Sequence, residues 1–361
     1  MAALHGHGSS EATRIVDVRS PAPREEWREL LALDPFALET QSAEWADAMC
    51  ASRGFEDASR LYEFAGGRRV VLPLLRRRTA GVTFHEASNP LHCGVGGLVA
   101  PDTARAEEIA AVLADLNRSP VAVRSFLPHP LVGETWADAW QRADPPSGLV
   151  VPRRAHSIDL EGGMDAVSAR FGKLTRRGVR HAQRSGVTVD CGTGGRLVDE
   201  FYDLMELATR RWARIQHEPP WLALRRLHHR EPRSKFRIIG RHLGERMQIW
   251  LARVDGLPIA TLLVLRGSNA YYLRGAMDED KRHHRANDLL HVSVLADACA
   301  AGCRSYYLGD SGWSDNLARY KERLGARPYH YAEYRSERLP VTRAEQAVKG
   351  AVKRVIGFKD F

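Results

Sequence analysis

Residues 170–184 read RFGKLTRRGVRHAQR, a stretch dense in cations with no carboxylate. At roughly 100° per residue, Arg170, Lys173, Arg177, Arg180 and Arg184 fall within about an 80° sector, with Phe171, Leu174 and Ala182 in the neighbouring one. The spacing predicts one helix with a basic ridge beside a packing stripe, and Arg176 adds a further cation. Gly172 and Gly178 each weaken such a helix by about 1 kcal/mol. Five cations in one row repel one another unless an anion lies along them, so the ridge points to phosphate contact, against the plainer reading of a solvated face. Asp310, in LGDSGWS, follows a predicted strand. It is placed to accept an amine proton or hold an ammonium, or else to make an Asx-type turn. Tyr272 and Arg274 alternate on a strand, so both are expected on one face, lining a channel or simply packing. Trp313 would stack on a base or substrate, or cover the core. Cys299 and Cys303 have no further ligand at zinc spacing and read as buried thiols. His228-His229 and His283-His284 read as solvated loop residues.

Composition narrows the setting. With 361 residues the chain is long enough for two domains. Residues 1–150 carry a net charge of −5 and residues 151–361 a net of +14, within +9 overall. That segregation places a polyanionic partner on the second half. Five cysteines make no disulfide framework. No apolar run reaches the roughly 18 residues of a membrane span, and the N-terminus lacks a signal-peptide pattern. The expectation is a soluble, reduced, cytoplasmic protein without a metal centre.

The elements that would position these residues follow a repeated order. Residues 1–13 are expected to be disordered. In the first half, helical periods from Arg24 to Gly54 precede a hairpin (Arg60–Phe64, Gly66-Gly67, Arg69–Leu75). A strand Val82–His85, a glycine-rich loop, a helix Ala104–Leu116 and a strand Val121–Phe126 follow. Residues 145–148 read as a linker. In the second half a hairpin (Gln248–Val254, Asp255-Gly256, Pro258–Leu265) leads to a strand Ala270–Arg274, a polar loop, a helix Asn287–Ala301 and a strand Ser305–Leu308. A duplicated α/β unit, 14–148 and 149–340, explains this order, with a basic helix at 341–361.

Several segments, in order, resemble the Fem-type (FemABX) aminoacyltransferases and their Acetyltransf-6 relatives. They are PFALETQSAEWADAM, RRVVLPLLRRR, FGKLTRRGVRHAQRSGVTVD, WLARVDGLPIATLLVL, AYYLRGAMDED, RANDLLH, SYYLGDSGWS and ARYKERLGARP. The resemblance spans roughly residues 30–335. It implies two tandem GNAT-like domains, an α/β fold of mixed sheets flanked by helices, with the active site in the second. It also implies transfer of an acyl group to an amine, from aminoacyl-tRNA as co-substrate in many members, with no cofactor. Lys321, one of only seven lysines, matches the lysine that faces the reacting ester and would stabilise its oxyanion, with Tyr320 beside it. The turn where coenzyme A-dependent relatives carry Q/R-x-x-G-x-G/A reads Arg282-His283-His284-Arg285-Ala286-Asn287 here. Arg285 in place of glycine disfavours a pyrophosphate, while Arg282, Arg285 and Asn287 would still grip an RNA 3′ end. Residues 205–236, with Pro219, Pro220 and Pro232, cannot form the long helical arm of some cell-wall members. The expected reaction is therefore aminoacyl transfer from charged tRNA to a small-molecule amine, such as a natural-product intermediate. The alternatives are an acyl-CoA-dependent N-acyltransferase, a peptidoglycan-precursor aminoacyltransferase, and a non-catalytic RNA-binding protein.

Overall fold

The computed structural model describes residues 11–79, 82–88, 90, 94–143, 145, 147–312, 314–338 and 342. Residues 1–10, Cys93, Trp313 and nearly all of the 341–361 segment lie outside these, and with them most of the N-terminus expected to be disordered, the stacking tryptophan and the basic C-terminal helix; residues 11–13 are instead ordered, the Ala12 carbonyl accepting from the Gly66 N–H at 3.1 Å. Among the described residues, no helix is long and apolar enough to cross a membrane. The chain divides into two compact units, one of Met1–Arg153 with His330–Val341, the other of Arg154–Tyr329 with Thr342–Phe361.

The first unit begins with β1 (Ile15–Arg19), α1 (Arg24–Leu33), α2 (Ala43–Arg53) and β2 (Glu56–Asp57). Strands β3 (Arg60–Phe64) and β4 (Arg69–Leu72) form the hairpin that the two glycines predict, with Gly67 at φ +76°. The structure parts from the sequence reading at Pro73. Proline cannot donate to a ladder, so β4 stops at Leu72 and β5 (Leu75–Thr79) begins anew in a different sheet. Strand β6 (Val82–Ala87), helix α3 (Ala106–Asn117) and strand β7 (Val123–Phe126) then make a parallel crossover, followed by α4 (Gly133–Ala143). The other partner of β7 comes from far along the chain. Residues 334–337 of β14 (Arg327–Glu337) pair antiparallel with it. Ala332 and Tyr334 of this return strand sit in the unit's core, Tyr334 against Trp136 and Trp140 at ring distances of 6.0 and 5.2 Å. A division in sequence order at 148 does not anticipate this return.

The second unit contains β8 (Gly148–Asp159) from Arg154 on, α5 (Gly163–Ala169), α6 (Lys173–Arg184) and β9 (Thr188–Thr193). Three helices follow, α7 (Val198–Ile215), α8 (Pro220–Arg230) and α9 (Arg233–Leu243), parted at the prolines that rule out one long arm. Strands β10 (Met247–Val254) and β11 (Leu257–Arg266) turn on Asp255 and Gly256, both at positive φ, the two-residue hairpin geometry. Strand β12 (Ala270–Met277), helix α10 (Ala286–Ala300) and strand β13 (Ser305–Asp310) repeat the parallel crossover of the first unit, and α11 (Asp315–Arg323) follows. The sheet order is β8-β13-β12-β11-β10-β9. Both units are thus mixed sheets flanked by helices and share one strand–helix–parallel strand design.

Pairing between β12 and β13 covers only Ala270–Tyr306 and Tyr271–Tyr307. Beyond this the two parallel strands have no mutual register, and their carboxyl ends open a gap in the sheet. Open ends of this kind, beside the start of a crossover helix, are where α/β sheets hold ligands.

Candidate active site

The gap is filled by a cavity of about 660 Å³, lined by residues of α7, β11, β12, β13, α10 and α11, all in the second unit. Of the residues singled out from sequence, Tyr272, Arg282, Arg285, Asn287, Tyr320 and Lys321 line it. Arg274, Asp310 and the 170–184 ridge do not.

Lys321 enters from α11 and is 3% exposed. Its Nζ donates to the carbonyl oxygens of Gly309 and Asp310, each at 2.8 Å, at the frayed end of β13. An ammonium carries three N–H donors, so one remains for a substrate oxygen. Burial lowers its pKa from 10.5 to about 7, opposed by the charge of Asp310. Asp310 therefore serves Lys321 through its carbonyl and its charge. Its carboxylate is not among the cavity-lining groups.

Tyr272 and Arg274 face opposite ways. Their partners on β11 are the consecutive residues Val264 and Leu263, so Leu273 forms a bulge that breaks the alternation. Tyr272 packs edge-on against His291 of α10, ring centroids 5.1 Å apart, and would clash with any side chain at Gly275. Arg274 instead grips Glu231 at the end of α8 through two bonds of 2.6 and 3.0 Å. Burial alone would raise that carboxyl, but Arg274 and Lys235 hold it down at about 2. Arg274 is a structural clamp.

The turn before α10 keeps the backbone of a glycine turn without the glycine. Arg285 adopts φ +59° and caps the helix, a conformation that costs a non-glycine residue on the order of 1 kcal/mol. Its guanidinium reaches Oδ2 of Asp288 at 2.9 Å. A carboxylate in the first turn satisfies the positive end of α10 from within the protein, where a pyrophosphate would otherwise be held. Arg211 and Arg282 share Glu279 beside this turn, and Asn287 donates to the Met277 sulfur at 3.3 Å. His283, read from sequence as a solvated loop residue, lines the cavity.

Three polar residues important here, Asp288, His291 and His156, escaped the sequence reading. Asp288 is 3% exposed, and its carboxyl is raised by burial against the pull of Arg285 and Arg323. His291, one turn further along α10, bonds the Tyr306 hydroxyl at 3.1 Å, and burial with the nearby Lys321 lowers its pKa to about 3, so it is neutral. Outside the cavity wall, buried His156 bonds Ser311 at 2.8 Å and thereby pins the turn whose carbonyls hold Lys321. The available signal was a polar pair three residues apart, Asp288 and His291, on a helix whose other buried residues are apolar.

The ridge differs in detail from its expected form. Helix α6 starts at Lys173, capped by Gly172, so Arg170 lies outside it and bonds the Asp159 carbonyl. Arg176 donates to the Ala169 carbonyl at 2.8 Å and closes the end of α5. Leu174 is 50% exposed, and the packing stripe is Thr175, Gly178 and Ala182. Lys173, Arg177, Arg180 and Arg184 remain, exposed along one face, with no carboxylate or hydrogen-bond partner among the described residues. The helix abuts the cavity walls. Thr175 Oγ1 donates to the Arg323 carbonyl at 2.9 Å, and Gly178 lies against the Asp288 carboxylate so closely that a Cβ would collide with it.

Geometry of this kind, an acyl-sized cavity between splayed parallel strands at the start of a crossover helix, coincides with a family match. Residues 169–322 match the acetyltransferase (GNAT) domain. Residues 169–322 thus carry an acetyltransferase (GNAT) domain. Nothing among curated protein sequences matches it. Among solved structures it is similar to FemX, at 14% identity and a TM-score of 0.66, over 89% of this chain and 97% of that one. It is similar also to the C-terminal domain of a putative lysylphosphatidylglycerol synthetase from Agrobacterium fabrum, at 13% identity and 0.51, over 91% and 96%. A tandem GNAT protein from the clavulanic acid biosynthesis pathway gives 14% identity and 0.52, over 91% and 98%. At these identities the likeness is one of fold, that of two tandem GNAT-like units with a Fem-like arrangement of elements.

Proposed function

We propose that this GNAT acyltransferase takes its acyl group from aminoacyl-tRNA and joins it to an amine of a small molecule. The observation that carries the reading is the row of four unpartnered cations on α6, set against the walls of the cavity that holds Lys321. Most arginines of this chain are matched to carboxylates or carbonyls, and a row left unmatched suits a run of phosphates. The self-supplied carboxylate at the start of α10 weighs against a coenzyme A pyrophosphate at that place. The cavity is large enough for an aminoacyl ester and a small amine. One neighbour in fold comes from the clavulanic acid biosynthesis pathway, and the proline-broken α7–α9 segment lacks the long arm of some cell-wall members, so a natural-product acceptor is favoured.

In the reaction the acceptor nitrogen attacks the ester carbonyl. A C–N bond forms, the ester C–O bond breaks, and the proton lost by the amine ends on the ribose hydroxyl that leaves. Lys321 faces the oxygen that becomes negative in between and stabilises it through its remaining N–H. No metal or redox cofactor enters these steps. The test is incubation with a pool of charged tRNAs, at low and high salt, followed by sequencing of the retained RNA. Enrichment of one isoacceptor, lost at high salt, is the expected result. Retention no better than that of a neutral control protein, together with turnover of acetyl-CoA, overturns the reading.

A further inference from the structure

Asp288 is the single carboxylate among the residues that line the cavity, against Arg211, Arg282, Arg285 and Lys321. It is nearly fully buried, and Arg285 meets only one of its oxygens, Oδ2. Tyr320, on the neighbouring helix α11, also lines the cavity. Its hydroxyl is buried and has no hydrogen-bond partner among the described residues. Asp288 is the charge that bears most on it. A buried hydroxyl without a partner is costly and marks a place where a ligand group belongs. Asp288 sets the sign of that group, against the opposing charges of Arg285 and Arg323. The imidazole of His291 is neutral, so it does not repel a cation there. The carboxylate offers acceptor capacity, the phenol oxygen accepts, and Tyr272 and Leu262 complete an apolar wall.

We infer that Asp288 and Tyr320 form an ammonium-binding subsite inside the cavity, which holds the free amino group of an amino-acid-derived substrate. The inference rests on the proposed aminoacyl chemistry and sharpens it. An aminoacyl ester carries an α-ammonium that a simple acyl donor lacks, and Asp288 discriminates between them. Two sources supply the same group, the donor's α-ammonium and the acceptor's amine before it loses its proton.

The test uses the full-length chain and two sets of probes in calorimetric titrations. The first is a series of 3′-aminoacylamino-3′-deoxyadenosines with Ala, Leu, Phe and Lys side chains, each paired with its N-acetyl derivative. The second is the corresponding amino-acid methylamides, which carry the amine but no adenosine. Free-amine adenosines should bind about tenfold more tightly than their N-acetyl forms, a difference that Asp288→Asn collapses and Tyr320→Phe reduces severalfold. That outcome assigns the ammonium to the donor. If the adenosine pairs bind alike while methylamide binding depends on Asp288, the subsite stands and its ammonium is the acceptor's. Equal binding within every pair and no Asp288-dependent methylamide binding overturns the subsite while leaving the tRNA reading intact. If no adenosine probe binds, the tRNA reading fails, and the methylamide arm alone decides the subsite. Tyr320→Phe keeps the ring packing, so it remains informative even if Asp288→Asn loses the Arg285 contact and melts early.

Discussion

Lys321 is held by main-chain carbonyls at a strand end, where an enzyme could have used a carboxylate. In the proposed reaction a carboxylate would lock the ammonium and quench the field it offers to a developing oxyanion, whereas two carbonyls orient it and leave its charge effective. The cost is desolvation, visible in the pKa near 7. Lys321→Met should lower kcat/KM by about 100- to 1000-fold with the donor still bound. The remaining activity of the wild type should fall as pH rises above about 7, when the ammonium loses its proton, and this limb should be absent from the variant's residual rate. Stability should move the other way. The folded protein binds fewer protons at Lys321 than the unfolded chain between about pH 7 and 10.5. The burial penalty is therefore full below pH 7 and is relieved as pH climbs through that window. Chemical denaturation of both proteins at pH 6.5, 8 and 9.5 checks this, with the stability difference shifting toward the wild type at each step.

Helix α6 joins two duties on opposite faces. Its exposed face carries the cation row, and its inner face is made of small residues so that α10 and Asp288 can come close. Salt dependence of tRNA binding should give a log–log slope of about −3 to −4 for four phosphate contacts, and Lys173→Glu with Arg177→Glu should flatten it by about 2. Gly178→Ala would add helix propensity but force the Asp288 carboxylate aside. We expect a net loss of about 1–3 kcal/mol in thermal or denaturant unfolding, opposite in sign to the propensity scale. This glycine also marks where the sequence ceases to be readable. As a local symbol it says only that the helix is weak, and its reason lies over a hundred positions away in α10. Leu273 is similar, because alternation puts Tyr272 and Arg274 together and only the β11 register reveals the bulge. Asp288 and His291 look like polar interruptions until the cavity gives them a common space. By contrast, the hairpin turns, the crossover helices and the breaks at Pro219, Pro220 and Pro232 were legible, since each is dictated by residues within a few positions of one another. Lys321 was legible through a resemblance and through its rarity among arginines.

At the scale of the whole chain, the charge segregation matches the placement of chemistry. The unit with the cavity belongs to the basic half, and the acidic half supplies no cavity-lining residue. The first unit, in turn, is discontinuous in sequence, since its sheet includes residues of β14. Tyr334→Ala, which strips an aromatic ring from between Trp136 and Trp140, should destabilise that unit by about 3–5 kcal/mol, read as an early transition in tryptophan fluorescence. A chain cut after Tyr329 should expose the same core to dye binding and proteolysis while the cavity unit keeps its fold. The return of β14 also bears on the order of events during synthesis. Domains usually acquire their structure from the N-terminus onward as the chain leaves the ribosome. Here the leading unit must wait with an unpaired edge on β7 until some two hundred further residues have been made, and the trailing unit can close before it. Such a waiting edge is where a nascent chain is most open to wrong pairing or to a chaperone.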